Sequence, residues 1–91
     1  MAKSLNESTI RVRLLTMHHC ALCDHARQVL TRLQTDYPLR IEEVADDSDM
    51  SQQLVQQHAI PFLPALFLGD DYAGYGRVSE RRLRAQLDGR M

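Results

Sequence analysis

The chain has no apolar run approaching membrane-spanning length, and its start, Met1 to Thr9, is polar where a secretory leader would carry an apolar centre. A cytoplasmic address and no membrane partner are therefore expected. Charge of one sign is also lacking. The net charge is -1, and the eleven basic residues, all but one of them arginine, are spread along the chain rather than gathered in one segment, so no nucleic-acid partner is expected. Length is short as well. With 91 residues there is room for one core but not two, so no separate substrate domain is expected. Cysteine is scarce: two residues, only three positions apart, cannot form the long-range staple of a secreted mini-protein. Their role is more readily chemical. What is present, 44% hydrophobic and 25% charged residues, is ordinary globular composition. The expectation is a polar extension over 1–9 and a single, monomeric domain over 10–91.

From Ile10 to Met17, Ile10, Val12 and Leu14 alternate with Arg11 and Arg13 before the pattern turns apolar at Leu14 and Leu15, which predicts a strand entering the middle of a sheet. From Cys20 to Asp36, the apolar residues Leu22, Ala26, Val29, Leu30 and Leu33 share one helical face, and Tyr37-Pro38 predicts the stop. Leu39 to Val44 reads as a second strand. Asp49 is a possible cap for a helix from Met50 to about His58, with Gln52 completing a capping box and Leu54 and Val55 turned inward. Ala65 to Leu68 and Tyr72 to Tyr75, joined by the turn residues Gly69-Asp70-Asp71, predict a hairpin. Ser79 predicts the cap of a last helix ending near Leu87, with Val78 and Leu83 placed as a hydrophobic staple. The fold class follows: α/β, βαβαββα, a four-stranded mixed sheet with helices on both faces.

Cys20-Ala21-Leu22-Cys23 falls where the first strand ends and the first helix begins. Residues three apart on a helix lie about 5–6 Å apart at Cβ, so a small adjustment brings two cysteines into disulfide geometry. Unpaired N–H groups and the positive dipole end favour thiolate at a helix start, which makes Cys20 the expected attacking sulfur and Cys23 the resolving one. His19 directly precedes Cys20, and its imidazolium would add to the effect. A metal site and an incidental pair are the competing readings. Zinc wants four ligands, and only His18 and His19 adjoin the pair, so no metal and no cofactor are expected. His18 reads as a loop histidine, and His25 and His58 as ordinary surface residues. Arg81, Arg82 and Arg84 read as a solvated helix face, and Tyr72 and Tyr75 as hairpin side chains.

Three segments carry a resemblance. Cys20 to Cys23 at the strand-to-helix junction, His58-Ala59-Ile60-Pro61-Phe62-Leu63-Pro64-Ala65-Leu66-Phe67-Leu68, and Gly76-Arg77-Val78-Ser79 followed by Arg82, Leu83 and Leu87 together resemble the thioredoxin superfamily, in its glutaredoxin-like or minimal thioredoxin-like members. The resemblance spans Ile10 to about Leu87. It implies a thiol-disulfide oxidoreductase with Cys20 and Cys23 as catalytic residues, and His19, Leu63 and Pro64 beside the substrate. Two prolines, Pro61 and Pro64, compete for the place of the family's cis-proline. Pro64 is implied to fill it, since the apolar strand begins right after it, with Leu63 offering backbone groups to the substrate chain and Pro61 an extra loop proline. The implied partners are protein or small-molecule disulfides and an electron donor, either a reductase or a low-molecular-weight thiol. The alternative it implies is a module that holds zinc or a bridging iron-sulfur cluster through Cys20 in a dimer, as some glutaredoxins do. Where thioredoxins usually have tryptophan before the motif this chain has His19, and where they usually have Gly-Pro inside it this chain has Ala21-Leu22.

Overall fold

The apolar pair Leu14-Leu15 that breaks the alternation of the first strand predicts burial on both faces, and the computed structural model, which describes residues 9–90, shows both buried. Within β1 (Ile10–Thr16), Val12, Leu14 and Leu15 are fully excluded from solvent although they do not all point the same way. The remaining elements are α1 (Ala21–Leu33), β2 (Leu39–Ala45), α2 (Asp49–His58), β3 (Ala65–Leu68), β4 (Asp71–Tyr75) and α3 (Glu80–Asp88). The sheet order is β2-β1-β3-β4, with β1 parallel to β2 and antiparallel to β3, and β3 antiparallel to β4. A parallel pair needs a crossover, and α1 supplies it. The expected polar extension lies, apart from Thr9, outside the described residues.

Val12, Leu14, Leu66 and Leu68 face α1 and α3, where Ala26, Val29, Leu30, Leu33, Leu83 and Leu87 close the larger core. Leu15, Val44, Ala65 and Phe67 face the other way, onto Ile60 and the half-buried Leu54 and Val55 of α2. The helices therefore cover both faces. All four residues of β3 are buried, since this strand has neighbours on both edges and cover on both faces.

Several boundaries differ from expectation. The first helix ends at Leu33 rather than running to Asp36, because the next turn tightens: Thr35 and Asp36 donate to the carbonyls three residues back, Arg32 and Leu33. Cys23, rather than Leu22, is the first fully buried residue of the helix face, and Leu22 is only half-buried. The cap of α2 is Ser48, not Asp49; its hydroxyl accepts from the Ser51 N–H at 3.1 Å and donates to the Ala45 carbonyl. Ser79 does cap α3, accepting from the Arg82 N–H at 3.2 Å, and Val78 packs against the core that holds Leu83. Arg84 is not simply solvated. It pairs with Asp36 at 2.9 Å and Glu80 at 3.3 Å and lies over the Tyr37 ring.

Glu80 joins the two helices of the larger core, taking Arg32 of α1 at 2.9 Å as well as Arg84 of its own helix. The hydrogen bond from Arg32, more than that from Arg84, holds its carboxyl below its ordinary value of 4.5. A carboxyl whose folded value is depressed adds stability that is present above the unfolded value and lost as pH falls through the folded one. Glu80→Gln should therefore lower the urea midpoint at pH 7 by a small amount and leave it unchanged at pH 2. An equal loss at both pH values would mean that the pairing contributes nothing.

Candidate active site

The chain leaves β1 through two exposed histidines, and His19 sits in the left-handed region at φ 52°. That conformation costs a non-glycine residue about 1–2 kcal/mol, and such residues cluster at functional sites. It turns the chain so that Cys20, extended at φ -122° and ψ 102°, becomes the N-cap of α1 rather than its first helical residue. The Cys20 carbonyl accepts from the Asp24 N–H at 3.1 Å, opening the helix, and its Sγ accepts from the Cys23 N–H at 3.0 Å. Sulfur here occupies the place that serine or aspartate oxygen usually takes at a cap. Cys20 and Cys23 are joined as a disulfide with Cα atoms 5.1 Å apart; Cys20 is half-buried and Cys23 fully buried.

Strand pairing brings the other expected residues to the same end of the sheet. Leu15 pairs with Ala65 and Thr16 with Ala45, while Ala65 pairs with Tyr75. Across this end, from edge to edge, lie the acidic loop after β2, the cysteine segment after β1, Leu63-Pro64 before β3, and residues 76–79 after β4. The Leu63-Pro64 bond is cis, as the resemblance implies, and no other cis bond occurs among the described residues. Pro64 is buried, and its carbonyl accepts from the Gly76 N–H at 2.7 Å, so the β4 exit is tied to the proline loop. Leu63 is half-buried against the smaller core.

Gly76 is required where it stands. Its φ is 77°, and a Cβ there would lie 3.3 Å from the Phe62 ring. Phe62 and Tyr75 meet edge to face with ring centres 5.1 Å apart, and both stay about half exposed, at 53% and 48%. Tyr75 is thus more than a hairpin side chain. His25 is likewise more than a surface residue: its Nε2 lies 3.1 Å from the Val78 carbonyl, and since a carbonyl only accepts, that nitrogen carries the hydrogen. This bond ties α1 to the segment before α3. His58 is exposed but rests against the rings of Phe67 and Tyr72, each at 5.2 Å. None of these contacts has a local sequence signal, because each partner comes from another element.

No helix among the described residues is long and apolar enough to cross a membrane. No family model matches the chain, and no curated protein matches it in sequence. Solved structures do. The oxidised mitochondrial thioredoxin 3 of Saccharomyces cerevisiae aligns over 96% of this chain and 84% of its own, with a TM-score of 0.62 at 18% identity. Oxidised thioredoxin O2 of Arabidopsis thaliana aligns over 97% and 84%, with a TM-score of 0.64 at 21% identity. Glutaredoxin 1 of Francisella tularensis aligns over 88% and 94%, with a TM-score of 0.56 at 19% identity. With the β2-β1-β3-β4 order, the crossover helix and the antiparallel hairpin, these likenesses establish that the chain has the thioredoxin fold.

Proposed function

We propose that the protein is a thiol-disulfide oxidoreductase that exchanges a dithiol with protein or small-molecule disulfides through Cys20-Ala21-Leu22-Cys23. The observation that carries this reading is the position of Cys20 as the cap of α1, with its Sγ 3.0 Å from the Cys23 N–H. An N–H aimed at sulfur and the positive end of a helix both favour the thiolate over the thiol. His19 adds positive charge when protonated.

In the reducing direction the Cys20 thiolate attacks one sulfur of the substrate disulfide. A Cys20-substrate disulfide forms, and the other substrate sulfur leaves as a thiolate that takes a proton from solvent. Cys23 then loses its proton and attacks the Cys20 sulfur, releasing the second substrate thiolate and closing the Cys20–Cys23 disulfide. Two electrons pass from the pair to the substrate. A thiol or dithiol donor, either a reductase or a low-molecular-weight thiol, returns them. Leu63, just before Pro64, offers main-chain groups to the substrate, and its side-chain identity matters little. A cytoplasmic, monomeric protein suits this chemistry.

Alkylation of the reduced protein at neutral pH, followed by peptide mapping, tests the roles. Cys20 should be modified first and Cys23, buried behind it, much later. Faster modification of Cys23 would reverse the assignment, and stoichiometric zinc or a coloured cluster bound by the fresh protein would replace it with the metal-binding reading.

A further inference from the structure

The site end of the sheet is electrically lopsided. At the β2 edge lie Asp46, Asp47 and Asp49, all exposed. At the β4 edge, Arg77 and Arg82 line a small cleft of about 70 Å³, open to solvent, together with Pro64, Tyr75, Gly76 and Ser79. Six other arginines hold carboxylates, whereas Arg77 and Arg82 are, like Arg40 and Arg81 outside the cleft, in no ion pair among the described residues. Glu80, the acid next to this cleft in sequence, is already taken up by Arg32 and Arg84. Two uncompensated guanidinium groups beside the proline loop, close to the start of α3, make a place where an incoming carboxylate gains Coulomb energy and displaces no internal partner. The half-exposed Phe62 and Tyr75 extend the same surface with an apolar step. A small disulfide has no use for both features at once, but a polypeptide does.

Resting on the dithiol reading above, we infer that this cleft is a docking subsite for an acidic stretch of a disulfide-bearing polypeptide. A Asp or Glu side chain of the partner lies between Arg77 and Arg82, and an apolar residue lies on the Phe62–Tyr75 pair. The acidic β2 edge sets the direction, since it repels the same stretch and leaves one orientation across the cysteines.

The test uses the reduced full chain and four oxidised substrates: two peptides of equal length with one internal disulfide, flanked by Glu-Phe or Lys-Phe segments, glutathione disulfide, and the neutral bis(2-hydroxyethyl) disulfide. At low ionic strength kcat/KM should favour the acidic over the basic peptide by about tenfold, within the range electrostatic steering provides. At about 0.5 M salt the ratio should fall below about two, because charges this exposed are screened over a few ångströms. Arg77→Glu with Arg82→Glu should invert the low-salt ratio, and Arg77→Gln with Arg82→Gln should bring it to about one. A wild-type ratio near one, a ratio that survives salt, or one unmoved by charge reversal would overturn the inference. So would glutathione disulfide being the better substrate than the acidic peptide. The wild-type salt series decides the matter even where the reversed variant does not fold. Failure to reduce even the neutral disulfide sinks the dithiol reading itself, whereas its reduction without charge preference sinks only the subsite.

Discussion

Cys20→Ser should abolish disulfide reduction down to the uncatalysed background while leaving the helix in place. Loss of activity alone would follow from almost any damage, so the informative part is the stability. Serine is among the best N-cap residues, and its oxygen can take the Cys23 N–H that sulfur now accepts. Urea unfolding of the serine variant should therefore match that of the reduced wild type to within about 1 kcal/mol. Cys23→Ser should behave differently. It keeps the attacking sulfur and removes the resolving one, so a Cys20-substrate disulfide should accumulate and be seen as an added mass. Retained turnover in Cys20→Ser, or trapping by that variant rather than by Cys23→Ser, would exchange the roles of the two cysteines.

Phe67→Ala should be the most damaging single change in the core. Phe67 is 1% exposed on the β3 face that packs against α2, where its ring meets His58 and Tyr72. Truncating a buried phenylalanine costs about 3–5 kcal/mol, from lost transfer energy and the cavity left behind. Domains of this size have about 5–15 kcal/mol in total, so at least about a fifth of the stability should disappear and the urea midpoint should fall accordingly. A loss under about 1 kcal/mol would mean that the smaller core collapses around the gap and that α2 is loosely held. The effect on chemistry should be indirect. Ala65, next to Pro64, shares that face, so the proline loop should loosen when the core does.

What the sequence disclosed follows from how local each signal is. The cysteine pair, the strand alternation of Ile10 to Leu15 and the cap at Ser79 are written in neighbouring residues, and the architecture and the helix-start location of Cys20 were legible from them. The α2 cap was not, because Ser48 and Asp49 are both good caps and the choice rests on the Ala45 carbonyl that the Ser48 hydroxyl reaches. The end of α1 was misplaced for a related reason: Tyr37-Pro38 limits how far a helix can run but does not say how early it tightens. His25 was unreadable, since its acceptor, the Val78 carbonyl, lies 53 residues away. Arg84 and Arg82 are two residues apart on one helix, and only the fold separates them: one reaches Asp36 after α1, and the other lines the cleft beside Pro64.

The sulfur cap of α1 has a further consequence. In most helices the capping atom is inert, so the stability of the first turn is fixed once the chain is folded. In the mechanism proposed above, the atom that accepts the Cys23 N–H is also the atom that gains or loses charge and a covalent partner. Whatever free energy the thiolate gains from the helix start, the helix start gains equally from the thiolate, because the two are one coupling seen from either side. Firmness of the first turn and readiness of the sulfur to ionise therefore rise and fall together. A mutation anywhere that frays this turn also changes how willingly the protein parts with electrons.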